Sequence, residues 1–406
     1  MIKYLENFDN VASRDVLALR GWSPSQGSYW GQYGDDILDF NLVAGAGVGG
    51  SHAMRIGTLW ADWRVFTPTI PRYCSKLTFG TIVRPVSAGA YNLRLVFYSG
   101  SYLNFQVQLV FASTGGCVVN MTTGTSGYPV IPPSARASVP FAPYEYTQVE
   151  VMVDVTNYVN GRCLVVVNGN VISDAYPILT AAGDGFGNNP YDNRSKLNRV
   201  GISETKCYHD CIYMADEEGS YHDGPFYDFA VKTIFPTQNG DVSSWTPHVN
   251  GIVNETVPQY TVVDTEAVSI TNEQEFLQAD QDLVTQLLSY PVSMVPNEDI
   301  HAVSHQSLMR AVASPGNPRL CSLVPAFKAI GNPTTVVDSK RLVAAAGWAY
   351  RWLDAIYGIV PIWAVPWTRL LLEESQFGFL LKEPTWTTFL GEDMGIADEA
   401  IDGDEA

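Results

Sequence analysis

The chain has 406 residues, which is enough for two or three domains with a sizeable core. Apolar residues make up 46% and charged residues 16%, so the composition excludes a disordered chain. The 34 glycines, 24 prolines and 12% aromatic residues favour many short strands joined by turns. The formal net charge of −18 repels phosphate backbones, and nucleic acid is therefore not expected as a partner.

Neither a secretion signal nor a membrane segment is expected. Five charges fall within the first fifteen residues, at Lys3, Glu6, Asp9, Arg14 and Asp15. They leave no room for the apolar core of a signal peptide. The longest uncharged apolar stretch, 355–368, is interrupted by two prolines and is shorter than the ~20 residues of a membrane helix. The six cysteines are too scattered to predict a compact disulfide framework.

Four segments alternate apolar and polar side chains with the period of a half-buried strand. They are residues 77–83, 91–97, 103–111 and 149–155. A further apolar run, 163–167, is followed by Asn168, Gly169 and Asn170. Asn and Gly supply the positive φ angles of a tight hairpin turn. The sequence therefore predicts an all-β fold.

The end of this strand-rich region carries a recognisable pattern. Residues 207–219 have the sequence CYHDCIYMADEEG, followed by FYDFAVKTIFP at 226–236 and GDVSSWTP at 240–247. These segments are typical of the last strands of a lectin-like sandwich and its exit segment. They resemble a family of bacteriophage virion proteins, in which an N-terminal concanavalin A-like (laminin-G-like) jelly roll precedes a small C-terminal β-domain. The chain differs from that family at Cys211, which replaces an acidic residue, and at Tyr227-Asp228, where the family often has Leu-Gly.

The resemblance implies four parts. Residues 1–236 form the laminin-G-like sandwich, and 237–271, rich in Thr, Val, Asn and Pro, form an extended connector. Residues 272–390 form a C-terminal β-rich virion-assembly domain. Residues 391–406 carry seven acidic and no basic residues, which is typical of a disordered tail.

Two interpretations of the start of the C-terminal domain remain open. Thr271 and Gln274 fit a helix cap, and some apolar residues that follow fit helical spacing. The family resemblance implies instead that 283–288 enters a strand. Farther on, the pattern predicts strands within 300–312, 320–330, 341–356 and 377–382.

No catalytic residue is predicted. Glucanases with this type of sandwich place three carboxylates on one strand face in a Glu-x-Asp-x-x-Glu pattern, and the sequence contains no such triplet. Glu150 and Asp154 lie on the polar face of 149–155, where we expect them to keep that face soluble. The alternative is a polysaccharide-degrading enzyme whose carboxylate pair comes from separate strands.

No metal site or other cofactor is predicted, although two clusters contain residue types that bind metals. Cys207, His209 and Cys211 offer zinc ligands, but the simpler expectation is two buried thiols with His209 pointing outward. Calcium is possible in an acidic cluster, because carboxylates suit that ion. Its members are Asp210, Asp216, Glu217, Glu218 and Asp223.

Aromatic residues near the start give the one binding signal. They are Trp22, Tyr29, Trp30, Tyr33, Trp60 and Trp63. Sugars dock their apolar ring faces on such side chains, and Trp30, Tyr33, Trp60 and Trp63 are the candidate carbohydrate-binding residues. Core packing or protein contact is the competing and more common role of large aromatic residues.

The resemblance implies a non-enzymatic structural component of a bacteriophage virion, associated with the tail, collar or capsid. It also implies other virion proteins and further copies of the chain as partners, in a particle assembled in the host cytoplasm. Adhesion to a host-surface glycan is a possible added role, since function is not fixed by fold.

Overall fold

The computed structural model describes residues 1–9, 14–24, 40–56, 64–70, 72–86, 90–100, 102–112, 116–123, 128–129, 136–137, 145–157, 160–178, 196–203, 207–218, 224–263, 275–278, 285–290, 299–310, 321–329, 331–332, 336–337, 342–344 and 350–382. The chain divides into two compact units. Unit 1 comprises residues 1–233 and 266–270, and unit 2 comprises 234–265 and 271–406.

Unit 1 is a sandwich of two antiparallel sheets. Its elements are β1 (Ile2–Glu6), α1 (Arg14–Leu19), β2 (Ser23–Pro24), β3 (Phe40–Val43), β4 (Ala53–Ile56), β5 (Val65–Phe66), β6 (Lys76–Pro85), β7 (Tyr91–Ser99), β8 (Tyr102–Phe111), β9 (Cys117–Thr123), β10 (Tyr128–Pro129), β11 (Arg136–Ala137), β12 (Thr147–Asp154), β13 (Gly161–Val167), β14 (Asn170–Ile178), β15 (Arg199–Ser203) and β16 (Cys207–Asp216). The first sheet has the order β14-β13-β12-β6-β16-β4-β3, with β1 also on β16. The second sheet has the order β10-β9-β8-β7-β15-β5-β2, with β11 also on β9.

Alternation along the long strands builds the core between the two sheets. In β6 and β12 every second residue is buried and apolar, and β7 and β8 supply the opposing layer. These inward residues include Leu77, Phe79, Val149, Val151, Leu93, Phe97, Phe105 and Phe111. The four strands predicted from period-2 alternation are confirmed, as is the all-β fold with an N-terminal sandwich.

The predicted hairpin turn is also confirmed. Asn168 has a φ angle of 47° and Gly169 one of 74°, and the turn joins β13 to β14. Because glycine has no Cβ, Gly169 adopts this angle without steric cost. The asparagine amide supports the turn from outside, since Asn168 Oδ1 accepts a hydrogen bond of 2.8 Å from the backbone N–H of Gln148.

A β-bulge interrupts β16 near its middle. Asp210 pairs with Ile82 and Tyr213 with Gly80, so three steps on β16 match two steps on β6. Cys211 lies in the bulge with a φ angle of 49°. The extra residue changes which side chains face the core. His209 therefore faces inward before the bulge, whereas Tyr213 faces outward after it and covers Gly80.

The prediction that 226–236 forms a closing strand is wrong. Residues 224–233 form no strand, and the segment around Phe226 and Phe229 packs on the outward face of the first sheet. The rings of Phe226 and Phe229 pack on Tyr213, with ring centroids 5.0 and 4.8 Å away. The apolar residues of this segment thus pack against a sheet face. Their sequence pattern is the same as that of a buried strand, so the pattern alone does not distinguish the two.

Unit 2 contains three antiparallel sheets. Its elements are β17 (Gln238–Ser243), β18 (Thr246–Val249), β19 (Ile252–Val253), β20 (Glu275–Gln278), β21 (Thr285–Ser289), β22 (Val303–Arg310), β23 (Cys321–Lys328), β24 (Val336–Val337), β25 (Leu342–Ala344), β26 (Tyr350–Tyr357), α2 (Arg369–Glu373) and β27 (Gln376–Lys382). One sheet has the order β17-β21-β27-β23-β24, with β25 on β23; the others are β19-β18-β20 and β22-β26. An aromatic core holds the unit together, including Phe327, Tyr357, Trp367 and Phe377.

Two expectations about unit 2 differ from the structure. Residues 237–271 were expected to form an extended connector, but they contain β17, β18 and β19, which pair within unit 2. Of the two interpretations of the start of the C-terminal domain, the helix is wrong and the strand implied by the resemblance is confirmed, because β20 and β21 occupy 275–278 and 285–289. Cross-strand pairing outweighs a partial helical spacing. The tail at 391–406 lies outside the described residues.

The two short helices were not predicted. Helix α2 is capped by Thr368, whose hydroxyl accepts a hydrogen bond of 3.3 Å from the N–H of Leu371. In the part of the chain that the structure describes, no helix is both long enough and apolar enough to cross a membrane.

Candidate carbohydrate-binding face

The outward face of the second sheet carries polar side chains in rows. On β7, β8 and β9, Arg94 pairs with Gln108, which pairs with Asn120; the neighbouring row contains Gln106 and Thr122. Residues that pair across antiparallel strands share a face. The residues between them in sequence are buried in the core, so these five point away from it, and each is partly exposed. We call these five residues the polar face.

Two aromatic rings lie at one end of this outward surface. Phe66 on β5 and Tyr98 on β7 contact edge to face, with centroids 5.1 Å apart. They close over Gly201, where an added Cβ would lie 3.2 Å from both rings. Arg199 places its guanidinium 4.2 Å from the centre of the Phe66 ring, and Arg64 donates a hydrogen bond to the Tyr98 hydroxyl. We call Phe66 and Tyr98 the ring pair.

The two sheets differ in where their acidic strand residues lie. The strands of the second sheet contain no Asp or Glu and carry Arg94, Arg136 and Arg199. The strands of the first sheet carry six carboxylates and five basic residues. The carboxylates are Glu6, Glu150, Asp154, Asp174, Asp210 and Asp216, and the basic residues are Lys3, Arg55, Lys76, Arg84 and Arg162. In a chain of net charge −18, the outward surface of the second sheet is therefore free of strand-borne acidic groups.

This arrangement suits a polyhydroxylated ligand. Amide side chains such as Gln106, Gln108 and Asn120 both donate and accept hydrogen bonds, as sugar hydroxyls do. The ring pair adds little to such a surface, because Tyr98 is buried and the Arg199 guanidinium lies over the Phe66 ring.

The four predicted carbohydrate-binding residues, Trp30, Tyr33, Trp60 and Trp63, lie outside the described residues, as does Tyr29. In the sequence, Trp30 and Tyr33 follow β2, and Trp60 and Trp63 precede β5, and both strands belong to the second sheet. The sixth aromatic residue, Trp22, is in the core. Its indole N–H donates to the Tyr4 hydroxyl at 2.6 Å, so core packing is confirmed for this residue.

The polar face itself was not predicted as a site. Its signal was present in 103–111, where Gln106 and Gln108 alternate with buried apolar residues. Such alternation predicts a strand with one wet face, but it does not show which strands lie beside it. Only the register brings Arg94 and Asn120 next to these glutamines.

Glu150 has a structural role rather than a solubilising one. Its side chain is fully buried and accepts hydrogen bonds from the Tyr213 hydroxyl, from Phe226 N–H at 2.6 Å and from Tyr227 N–H at 2.8 Å. Burial raises the pKa of the Glu150 carboxyl above its ordinary value. The expectation that Glu150 keeps its face soluble is wrong, because residues 224–233 cover that face. Asp154 accepts a hydrogen bond from Thr156 N–H at 2.9 Å.

The Cys207, His209 and Cys211 cluster differs from expectation. Cys207 and His209 are two apart on β16 before the bulge and share the inward face, so the expectation that His209 points outward is wrong. His209 is fully buried, its Nδ1 lies 3.4 Å from the Thr81 hydroxyl, and burial lowers its pKa to about 3. Burial raises the pKa of both thiols. The expectation of two buried thiols is confirmed.

The acidic residues that were weighed for calcium bind groups of the chain itself. Asp210 accepts from Val48 N–H, the Ser51 hydroxyl and Cys211 N–H at 2.7–2.9 Å. The N-terminal amine and Lys3 contact Asp216, Glu217 accepts from Ser75, and Glu218 pairs with Lys3 and Arg72. Asp223 lies outside the described residues. Within the described ranges, no group of three or more metal-ligating side chains forms.

Comparisons with known proteins give fold-level likenesses only. No family model matches the chain, and no curated protein matches it. Among solved structures, galectin LEC-6 of Caenorhabditis elegans is 12% identical with a TM-score of 0.26, over 39% of this chain and 94% of the galectin. The PL-14 alginate lyase of Aplysia kurodai is 9% identical with a TM-score of 0.34, over 53% and 99%. The carbohydrate-binding module CBM66 of Bacillus subtilis is 8% identical with a TM-score of 0.28, over 47% and 91%. Likenesses this distant carry no functional argument.

Proposed function

We propose that this chain is a non-enzymatic structural component of a bacteriophage virion that binds carbohydrate through the outward face of its second sheet. The observation that carries the binding part is the polar face, whose amide and guanidinium groups lie in rows on adjacent strands. A rigid sheet holds these groups at fixed spacing, so little conformational freedom is lost when a glycan binds.

The virion part rests on the resemblance of residues 207–219 and 240–247 to phage proteins with an N-terminal jelly roll. In such a particle, the partners are other virion proteins and further copies of the chain. Many copies that each bind a sugar weakly give strong overall attachment, because each later contact is effectively intramolecular. A shallow polar face therefore suffices for adhesion to a host surface.

The alternative activity is polysaccharide degradation by a carboxylate pair, and two of the strand carboxylates are poorly placed for it. Glu150 is buried with its oxygens occupied by three donors, and Asp210 likewise accepts three hydrogen bonds. The strands of the second sheet supply no carboxylate at all. A hydrolase of this type needs one carboxylic acid and one carboxylate across the scissile bond.

The binding part is tested with the full chain on a glycan array that includes host envelope polysaccharides. Replacing Gln106 and Gln108 together by Ala removes two amides, and we expect at least tenfold weaker binding, since each hydrogen bond contributes about 1 kcal/mol. Gln148→Ala, on a strand of the first sheet, is the matched control and should bind like the wild type. If the double variant bound glycan as tightly as the wild type, the polar face would be excluded as the binding site.

The same samples distinguish binding from catalysis. We expect no reducing ends and no unsaturated sugar products when the protein is incubated with the polysaccharide that it binds. Products that accumulate with time would overturn the non-enzymatic assignment.

The virion part is tested separately by immunogold labelling of purified particles with antibody to unit 1. Labelling at a defined part of the particle is expected, and absence of the chain from purified phage would contradict this part.

A further inference from the structure

Unit 2 exposes apolar side chains within and just after the uncharged stretch 355–368. The exposed residues are Pro361, Trp363, Ala364, Val365, Pro366 and Leu370. We call these six residues the apolar patch. From this surface we infer that two copies of the chain associate through the apolar patch. The inference goes beyond the proposed function, because it concerns unit 2 and does not depend on glycan binding.

The loop that carries most of the apolar patch is closed by backbone hydrogen bonds. The N–H of Val360 donates to the Val365 carbonyl at 2.9 Å, and the N–H of Ala364 donates to the Val360 carbonyl at 2.9 Å. Ala364 has a φ angle of 52°, which residues with a Cβ seldom adopt. A loop held in this way presents Trp363 with little conformational freedom left to lose on association.

Both parts of the apolar patch are anchored to the aromatic core of unit 2. Ile362 in the loop and Leu371 on α2 are partly buried against that core. Between them, Trp367 is buried, and its indole N–H donates to the Tyr357 carbonyl at 2.9 Å. The exposed residues beside these anchors therefore belong to a well-packed part of the unit.

The size of the apolar patch fits a contact between proteins. Trp363 is 41% exposed and Leu370 is 60% exposed. Judged by the usual areas of aromatic and aliphatic side chains, the six residues expose about 400 Å² of apolar surface. Homodimer interfaces are about 65% apolar, so this patch corresponds to about 600 Å² on each copy and about 1,200 Å² in total. That total is at the lower end of the range for specific interfaces, which fits a reversible dimer.

Charge favours a second copy as the partner. Each copy has a formal net charge of −18, so two copies repel each other wherever their acidic surfaces meet. The apolar patch contains no charged residue, and Arg369 beside it pairs with Glu373 at 2.6 Å. A basic partner would instead be attracted to the acidic surfaces of the chain. An uncharged surface therefore fits another copy of the same chain best.

A lipid surface fits the apolar patch less well. Protein segments that lie in a membrane interface usually carry Lys and Arg beside their apolar residues, because anionic lipids attract them. The charged residues nearest to the patch in sequence are Arg369, Glu373 and Glu374, of which two are acidic. Repulsion from anionic lipid would oppose binding at this position.

Sedimentation of the full chain from low to high micromolar concentration tests the inference, and we expect a reversible equilibrium between monomer and dimer. Trp363→Ser combined with Leu370→Ser should raise the dissociation constant at least a hundredfold, since large apolar anchors contribute most of the binding energy of an interface. Ile252→Ser is the matched control, because Ile252 is 70% exposed on β19, outside the apolar patch, and this variant should dimerise like the wild type. Circular dichroism checks that each variant is folded.

Hydrogen exchange of the wild type gives a second readout that needs no variant. Peptides that cover 360–366 should exchange more slowly above the dissociation constant than below it. A monomer at every concentration would overturn the inference, as would equal exchange of these peptides or a dimer that the double variant leaves intact. Dissociation by Ile252→Ser to the same extent would remove the assignment to this patch.

Flotation with vesicles of phosphatidylcholine and phosphatidylglycerol tests the lipid alternative. We expect no binding of the wild type to these vesicles. Binding that is lost in the double variant would assign the apolar patch to a lipid surface and overturn the inference. Glycan binding is measured independently on the array, so failure of this inference is distinguishable from failure of the proposed function.

Discussion

The two outward faces of the sandwich in unit 1 differ in how far the rest of the chain covers them. On the first sheet, residues 224–233 cover the surface, and Tyr213 and Glu150 are buried beneath them. On the second sheet, Gln108 and Asn120 remain partly exposed, although Val96 and Ser203 on the same face are buried. Alternation alone therefore does not define a solvent face: the outward carboxylate of Glu150 is buried where the chain covers it, whereas the outward amide of Gln108 is partly exposed.

The largest expected effect follows from removal of the buried carboxylate. Glu150→Ala leaves the Tyr213 hydroxyl and two backbone N–H groups without their acceptor, and we expect unit 1 to lose about 3 kcal/mol of stability. Glu150→Gln keeps one acceptor oxygen and should lose about half as much. Urea denaturation followed by hydrogen exchange of peptides from β6 and β12 measures the loss in unit 1. If neither substitution changed the stability of unit 1, as expected for an exposed side chain, the structural role of the buried Glu150 carboxylate would be contradicted.

Two glycines give a matched test of packing on the two faces. A Cβ at Gly80 would lie 2.0 Å from the Tyr213 ring, which is itself fixed by Glu150, whereas a Cβ at Gly201 would lie 3.2 Å from the ring pair. Gly80→Ala should therefore cost about 2–3 kcal/mol and Gly201→Ala about 1 kcal/mol or less. Thermal unfolding of the two variants in parallel gives the comparison. Equal losses would mean that the first face is no more tightly covered than the second.

The pH dependence of stability should also arise from a residue of the first sheet, Asp210. Burial raises the pKa of Asp210 to about 6 from an ordinary 3.8. The folded state therefore binds a proton more tightly than the unfolded state, so stability from this group is greatest at low pH and is lost as pH rises through about 6. Between pH 4.5 and 7.5 the wild type should lose about 2 kcal/mol more than Asp210→Asn. Identical pH profiles for the two proteins would show that Asp210 does not titrate in this range.

The polar face should behave differently, because guanidinium and amide groups do not titrate between pH 5 and 8. Glycan affinity is therefore expected to be constant in this range once the protein is folded, apart from titration of the sugar itself. This contrast separates the two faces in one experiment, since stability changes with pH while affinity does not.

The positions of the strands could be predicted from the sequence, whereas the covering of their outward faces could not. Period-2 alternation is local, so 103–111 and 149–155 were found directly. Burial of Glu150 was not predictable, because its covering residue Phe226 lies 76 positions away in the chain. The bulge at Cys211 was missed for a related reason: one extra residue reverses the faces without altering composition.

The smallest change in stability should come from Gln108→Ala, even though this residue lies at the centre of the polar face. Its side chain is directed away from the core, and Ala is compatible with a strand that is already held by β7 and β9, so we expect a change in unfolding free energy within about 0.5 kcal/mol. Its glycan affinity should nevertheless fall about fivefold, because one hydrogen bond contributes about 1 kcal/mol. Calorimetry and urea denaturation on the same preparation measure both quantities. Loss of stability without loss of affinity would show that Gln108 stabilises the fold and does not bind the glycan. The proposed difference between the two outward faces would then be contradicted at the centre of the polar face.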